Sequence, residues 1–136
     1  MNGTGELSNL STRGSVGGGG DVMIGGFVII ENNRRVMVRG LGPTLAAFGV
    51  NGALANPKIT VYNASDEVVA TNDDWGNESN AASIALTAMS LGATALANGS
   101  ADAATMLFLP KGAYTVHLEG VDGGTGVGLI EIYKIP

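Results

Sequence analysis

The sequence predicts an all-β fold, an antiparallel β-sandwich of jelly-roll or immunoglobulin-like character, with one short helix and an extended N-terminal arm. Three observations lead to this prediction: short apolar runs bounded by turn residues, a glycine content of 22 in 136 residues, and the lack of helical segments that could connect parallel strands. A chain of this length can bury a core, and an apolar fraction of 45% argues against general disorder.

The strands of the body follow one another at the spacing of a sandwich. Residues 22–30 are apolar on both faces, which is typical of a central buried strand, and the turn at Asn32-Asn33 joins this strand in a hairpin to the alternating segment 35–39. A second hairpin is predicted between residues 58–62 and 67–71. The remaining strands are predicted at 105–109, 113–119 and 127–133, which makes about seven in all.

Two helical segments are predicted between these strands. Residues 44–48 form one short turn with Thr44 as its cap, and residues 81–91 form the longer helix because Ile84, Ala88 and Leu91 recur at helical spacing.

The N-terminal segment differs from the body, so residues 1–20 are predicted to be an arm and a hinge and residues 21–136 the sandwich domain. Leu10, Thr12 and Val16 would share one face of an extended arm. The arm pairs with the open sheet edge of a neighbouring subunit, folds back as the first strand of its own sandwich, or frays; these alternatives stay open. The predicted interface residues are Leu7, Leu10, Thr12, Arg13 and Val16, and the predicted hinge residues are Gly17, Gly18, Gly19 and Gly20.

An acidic loop follows the second hairpin and is a candidate calcium site. Calcium takes six to eight oxygen ligands, and the loop concentrates carboxylates and amides without the spacing of an EF-hand. The predicted ligands are Asp66, Asn72, Asp73, Asp74 and Asn77. The alternative is a solvated turn in which the aspartates bind local N–H groups.

Trp75 lies beside this loop, and it either stacks on a sugar ring or, as we favour, covers one end of the core with its N–H bonded to a carbonyl. Asn-x-Ser/Thr sequons, which are acceptors for N-linked glycans where the source has the machinery, occur at Asn2, Asn9, Asn63, Asn77 and Asn98.

Charge and composition exclude several function classes. A net charge of −5 disfavours nucleic acid, and the absence of Cys excludes thiol catalysis and zinc fingers. There is no apolar run long enough to span a membrane as a helix. We also expect no enzymatic activity, because the single His117 is predicted to face solvent and no serine lies in a Gly-x-Ser-x-Gly setting.

Several segments resemble a family of secreted bacterial β-sandwich domains that often lie near the C-terminus of large exported proteins. The segments are Leu-Ser-Asn-Leu-Ser-Thr-Arg-Gly at 7–14, Ile-Gly-Gly-Phe at 24–27, Val-Arg-Gly-Leu-Gly-Pro-Thr-Leu at 38–45, Asn-Asp-Asp-Trp at 72–75 and Gly-Ala-Tyr-Thr at 112–115. The last two are also similar to pre-peptidase C-terminal domains. The resemblance implies a β-sandwich and an extracellular or cell-surface location, but it does not fix a site.

Together these observations lead to two functional hypotheses. In the first, the chain is a structural subunit of an extracellular filament or surface assembly, a head-to-tail homopolymer formed by donation of the arm. We expect this of a single domain with an adhesive arm. In the second, the chain is a calcium-dependent carbohydrate-binding or adhesive module that uses Asp73, Asp74 and Trp75.

Overall fold

The computed structural model describes residues 9–18, 21–30 and 32–136, which form a β-sandwich of two four-stranded antiparallel sheets. The elements in chain order are β1 (Asn9–Val16), β2 (Met23–Ile29), β3 (Arg34–Leu41), α1 (Pro43–Ala47), β4 (Pro57–Tyr62), β5 (Val68–Asn72), a 3-10 turn (Trp75–Asn77), α2 (Ala81–Ser90), β6 (Ala103–Leu109), β7 (Gly112–Gly120), a second 3-10 turn (Val121–Gly123) and β8 (Gly126–Ile135). The all-β sandwich predicted from the sequence is therefore confirmed.

The chain passes from one sheet to the other at almost every connection. Sheet A has the order β1-β8-β3-β6 and sheet B the order β2-β7-β4-β5, so β4 and β5 are the one consecutive pair that lies in a single sheet. The predicted hairpin at 58–71 is confirmed by this pair. The predicted hairpin between 22–30 and 35–39 is wrong, because β2 pairs with β7 and β3 pairs with β6 and β8. A turn does occur at Asn33, which has a φ of 42°. It connects β2 in sheet B to β3 in sheet A and so does not form a hairpin. The prediction that residues 22–30 form a central strand is also wrong, because β2 lies at one end of sheet B with β7 as its single partner.

The main core lies between the two sheets and is built from alternate residues of their strands. On β7, Tyr114, Val116 and Leu118 are buried while the residues between them lie on the outer face, as a period of two requires. The buried side chains of Val36, Val38, Ile130 and Ile132 face them from sheet A. Two glycines let the sheets approach here, since a Cβ on Gly40 would lie 2.5 Å from Cγ2 of Ile59, and a Cβ on Gly128 would lie 2.7 Å from Cδ2 of Leu118.

A second, smaller core covers the outer face of sheet A. We call this layer the cover; it consists of the first 3-10 turn, α2 and residues 91–97. It packs against Met37 and Tyr133 of that sheet. Ile84 and Ala88 are the buried residues of α2, and the helix begins and ends within one residue of its predicted bounds. At α1 the predicted cap is wrong, because the residue before the helix is Gly42 and the Thr44 hydroxyl donates instead to Oδ2 of Asp102 at 2.6 Å.

Residues 9–16 of the predicted arm form β1, an edge strand of the chain's own sheet A. They pair with β8 along the whole strand, from Asn9 opposite Tyr133 to Val16 opposite Gly126. In the single chain the sandwich therefore includes residues 9–16 as well as the predicted body, and the self-pairing alternative describes this segment. The physical reason is that β8 would otherwise present an unpaired row of backbone groups beside β1. Leu7, Gly19, Gly20 and Asn2 lie outside the described residues.

We predict that Gly40→Ala destabilises the sandwich, because the new Cβ meets Ile59 and Leu118 across the core and the sheets must move apart. Overpacking of this kind costs about 1–3 kcal/mol of the free energy of unfolding, which urea denaturation followed by circular dichroism measures. Gly76→Ala is the control, since a Cβ there has no atom within 4 Å. Equal stability of the two variants would contradict the packing described here.

Candidate functional site

An ion pair occupies the centre of the outer face of sheet A, beneath the cover. Arg39 on β3 pairs with Glu131 on β8 in the strand register, and its Nε donates to Oε1 of Glu131 at 2.9 Å. Nη2 lies 2.7 Å from the same oxygen, although outside the direction of a good hydrogen bond, and Nη1 donates to the carbonyl of Thr94 in the cover at 2.7 Å. Arg39 is 0% exposed, so the guanidinium is enclosed by the protein, and its Nη2 makes the close contact with Glu131 without a hydrogen bond.

Tyr133 completes this network and has a shifted pKa. Its hydroxyl donates to Oε2 of Glu131 at 3.0 Å, and the Arg39 guanidinium lies 5.9 Å from the centre of its ring. Burial, followed by the negative charge and the hydrogen bond of Glu131, raises the pKa of Tyr133 to about 12, against the lowering effect of Arg39. The network therefore holds Tyr133 neutral and fixes the cover on the sheet, and its members are engaged with one another.

Asp102 is the centre of a second buried network, at the end of the sandwich near α1. Its carboxylate accepts hydrogen bonds from the backbone N–H groups of Gly42 and Thr44, and from the hydroxyls of Thr44 and Ser100. Asp102 is fully buried, and its carbonyl accepts from the N–H of Trp75 at 2.9 Å. The segment 38–45 noted in the sequence is thus held by a carboxylate that sequence reasoning did not single out.

The predicted acidic loop is divided by the strand β5. Asp66 lies in the turn before β5, whereas Asn72 ends that strand, which places the two roughly 15–20 Å apart. Asp66 therefore cannot share an ion with Asn72, Asp73, Asp74 and Asn77, and this part of the predicted ligand set is wrong. Oδ1 of Asn72 accepts from the N–H of Ala104 at 3.0 Å, and its Nδ2 donates to the carbonyl of Asp74 at 3.1 Å.

No three side chains of Asp, Glu or His are grouped as a metal site requires in residues 9–18, 21–30 and 32–136. Calcium binding by Asp73, Asp74 and Asn77 stays a prediction.

Trp75 is buried at 6% exposure and packs in the smaller core, and its Nε1 donates to the carbonyl of Ala97 at 3.3 Å. The preferred interpretation of this residue as a core tryptophan is confirmed. At this exposure the residue presents almost no surface to solvent on which a sugar could stack. An apolar cavity of about 280 Å³ lies beside it, between α2 and residues 92–96, and Arg39 lies at its floor.

The described sequons lie in strand ends, turns and loops. Asn9, Asn77 and Asn98 are exposed, whereas Asn63 organises the turn between β4 and β5, where its Oδ1 accepts from the N–H groups of Ser65 and Glu67. Glycosylation of these sites stays a prediction.

A groove on the outer face of sheet B brings together groups that the sequence did not connect. His117 on β7 and Tyr62 on β4 lie on this face with ring centres 4.7 Å apart and planes inclined at 56°. Thr115 on β7 pairs with Tyr62 in the register, and Asp66 of the adjoining turn completes the rim. The groove has a volume of about 250 Å³ and combines two rings, a hydroxyl and a carboxylate. Alternation along β7 does place Thr115 and His117 outward, but only the pairing with β4 brings Tyr62 to them.

Comparisons with known proteins show the fold. The pre-peptidase C-terminal domain of a collagenase from Bacillus anthracis is similar over 96% of this chain and 99% of that one, with 16% sequence identity and a TM-score of 0.54. A protein from Sulfurospirillum deleyianum is similar over 94% of this chain and 98% of that one, with 12% identity and a TM-score of 0.43. No protein-family model matches the chain, and no curated sequence matches it. A helix long and apolar enough to cross a membrane is absent from the described parts of the chain.

We predict that alkaline pH destabilises the protein through Tyr133. An unfolded tyrosine ionises near pH 10, while the folded Tyr133 resists ionisation up to about pH 12. Its contribution to stability is therefore complete below pH 10 and is lost as the pH rises from 10 to 12, by at most about 3 kcal/mol. Urea unfolding at pH 9 and pH 11.5 measures the loss. Tyr133→Phe should show a smaller loss over the same interval, and an identical loss would contradict this assignment.

Proposed function

We propose that the chain is a non-catalytic binding module that acts outside the cell and binds a sugar ring in the groove between Tyr62 and His117. The observation that carries this proposal is the position of the two rings, close together on an outer sheet face. By contrast, buried hydrogen bonds within the protein already engage the side chains of Arg39, Glu131 and Asp102. A site needs groups that remain accessible to a ligand, and the groove offers them.

The groups of the groove suit a polyhydroxylated ligand. An aromatic ring presents an apolar face to the C–H groups of a sugar, while a phenol or imidazole also offers a polar edge. The Asp66 carboxylate accepts hydrogen bonds from hydroxyls, and the Thr115 hydroxyl both donates and accepts. Because the rings are inclined at 56°, they do not form one flat stacking surface, so we expect a single sugar unit to fit better than a long flat chain.

The fold comparison supports a module role. The solved domain with a similar fold is one domain of a collagenase, so this architecture occurs as part of a larger protein. The extracellular location and the bacterial source belong to the same proposal, which the resemblance of the sequence supports. The absence of enzymatic activity is also part of the proposal. The ring of the accessible His117 contacts the ring of Tyr62, and we identify no nucleophilic side chain that His117 could activate.

We predict that the isolated chain binds specific glycans on an array and that Tyr62→Ala and His117→Ala each weaken this binding at least tenfold. Phe48→Ala is the matched control, because Phe48 is exposed but lies outside the groove, and it should bind as the wild type does.

Trp75 fluorescence should stay unchanged on ligand addition, whereas a sugar stacked on Trp75 would shift it. A chelator in a second array tests calcium dependence. Absence of binding to every glycan at millimolar concentration would end the proposal.

Self-assembly is the second candidate function, and one observation about β1 favours it. Val16 is the one buried residue of this strand, and the others, including Leu10, Thr12 and Arg13, are exposed or half-buried. The backbone ladder to β8 thus holds most of the strand, and a neighbour's β1 could form the same ladder. Gly17 follows it, and its N–H is bonded to the carbonyl of Asp21. If this bond opened, β1 could move to a neighbour, which would exchange strands head-to-tail between subunits and form a polymer.

Cysteines placed across the ladder test this exchange in a chain that has no cysteine of its own. Ser15 pairs with Val127, so Ser15→Cys/Val127→Cys can form a disulfide within one chain or between two. The exchange proposal predicts covalent dimers and longer ladders on non-reducing gels. The control Lys58→Cys/Glu119→Cys joins two body strands and should stay monomeric. Monomeric disulfides in both variants would rule out exchange.

A further inference from the structure

The cavity between α2 and residues 92–96 has the size and lining of a site for a small apolar molecule. Its volume is about 280 Å³, and a protein cavity of roughly half that volume with an apolar lining holds a benzene ring. It lies in the cover, on the outer face of sheet A, whereas the sugar groove lies on the outer face of sheet B. The two sites are therefore independent of each other.

The lining of this cavity is almost wholly apolar. Arg39 is the one polar residue that lines it, and the others have apolar side chains or are glycine. Trp75 and Ile84 are buried lining residues, while Ala85 and Met89 are exposed ones. The cavity is thus open to solvent along the side of α2 that carries Ala85 and Met89, which gives a small molecule a way in.

The guanidinium at the floor of the cavity has a donor that its protein partners do not satisfy. A guanidinium has five N–H groups in a planar fork. In Arg39, Nε donates to Glu131 and Nη1 donates to the carbonyl of Thr94, but Nη2 has no hydrogen-bond acceptor among the described residues. Since Nε and Nη2 both lie within 3 Å of the same Glu131 oxygen, at 2.9 Å and 2.7 Å, the second N–H of Nη2 points away from that carboxylate. A buried donor of this kind is costly, so an acceptor from a ligand is favourable here.

The charges around the guanidinium favour an uncharged acceptor over an anion. The carboxylate of Glu131 already balances the charge of Arg39, and Tyr133 is held neutral beside them. A ligand carboxylate would bring a second negative charge to the same cation and would be buried without a partner of its own. A carbonyl oxygen supplies an acceptor without a charge.

We propose that this cavity binds a compact apolar molecule with one uncharged carbonyl oxygen, whose carbon body lies between α2 and residues 92–96 and whose oxygen accepts from Nη2 of Arg39. Because Arg39 is 0% exposed in this structure, the oxygen reaches Nη2 only when the wall at residues 92–96 moves outward by about one atomic radius. This wall can yield, since it contains neither helix nor strand and Gly92 and Ala95 are exposed.

Three probes of similar shape test the chemistry of the site: acetophenone, ethylbenzene and benzoate. Calorimetry should give acetophenone a dissociation constant below about 0.3 mM, and each of the other two should bind at least fivefold more weakly. Trp75 is the single tryptophan of the chain and lines the cavity, so its indole N–H resonance should shift with acetophenone. No binding of acetophenone at about 2 mM, or binding of ethylbenzene or benzoate as tight as that of acetophenone, would overturn the proposal.

A pair of variants on α2 tests the location of the site. Ala85→Phe places a ring at the opening of the cavity and should weaken acetophenone binding at least tenfold. The matched control is Ser83→Phe, because Ser83 is exposed on the same helix but does not line the cavity, and it should bind as the wild type does. Both positions are exposed, so the fold should be retained, and circular dichroism verifies it. Equal binding by the two variants would overturn the assignment of the cavity.

Discussion

The ion pair between Arg39 and Glu131 is the interaction on which the architecture of sheet A depends. A charge on a strand that is covered on both faces must be paired, because an isolated buried charge costs several kcal/mol. The cover meets this requirement by bringing the carbonyl of Thr94 to the guanidinium. Hence the same contacts that neutralise Arg39 also hold α2 and the segment after it against the sheet.

The two buried networks hold their carboxylates in structural positions. The Asp102 carboxylate accepts hydrogen bonds from the turn between β3 and α1, and its backbone carbonyl accepts one from the N–H of Trp75. Asp102 therefore links the end of the sandwich to the start of the cover. Each carboxylate is satisfied by several donors, which fixes its position. A catalytic carboxylate would need an unsatisfied side directed at a substrate.

Sheet B has the opposite character, since no helix covers its outer face in the described chain. The outer face of sheet B therefore leaves side chains exposed, whereas the cover buries those on sheet A. The groove of Tyr62 and His117 lies among the inner strands of sheet B, and the exposed side chains of Ile24 and Val28 lie at its edge. The groove rests on strands whose inner side is packed in the core, so the proposed binding of a ligand would need little ordering of the protein.

The sequence by itself determined the class of the fold, the positions of most strands, the bounds of α2 and the burial of Trp75, because alternation and helical spacing are local signals. It also contained a sign of the buried pair that we did not use: Arg39 and Glu131 each interrupt an apolar strand, and such a charge needs a partner. Only the tertiary structure decided that β2 lies at an edge, that β1 completes its own sheet, and that Asp66 is far from Asn72. The physical reason is that a period of two shows which residues share a face, while the neighbour of each strand is set by contacts between residues far apart in the chain.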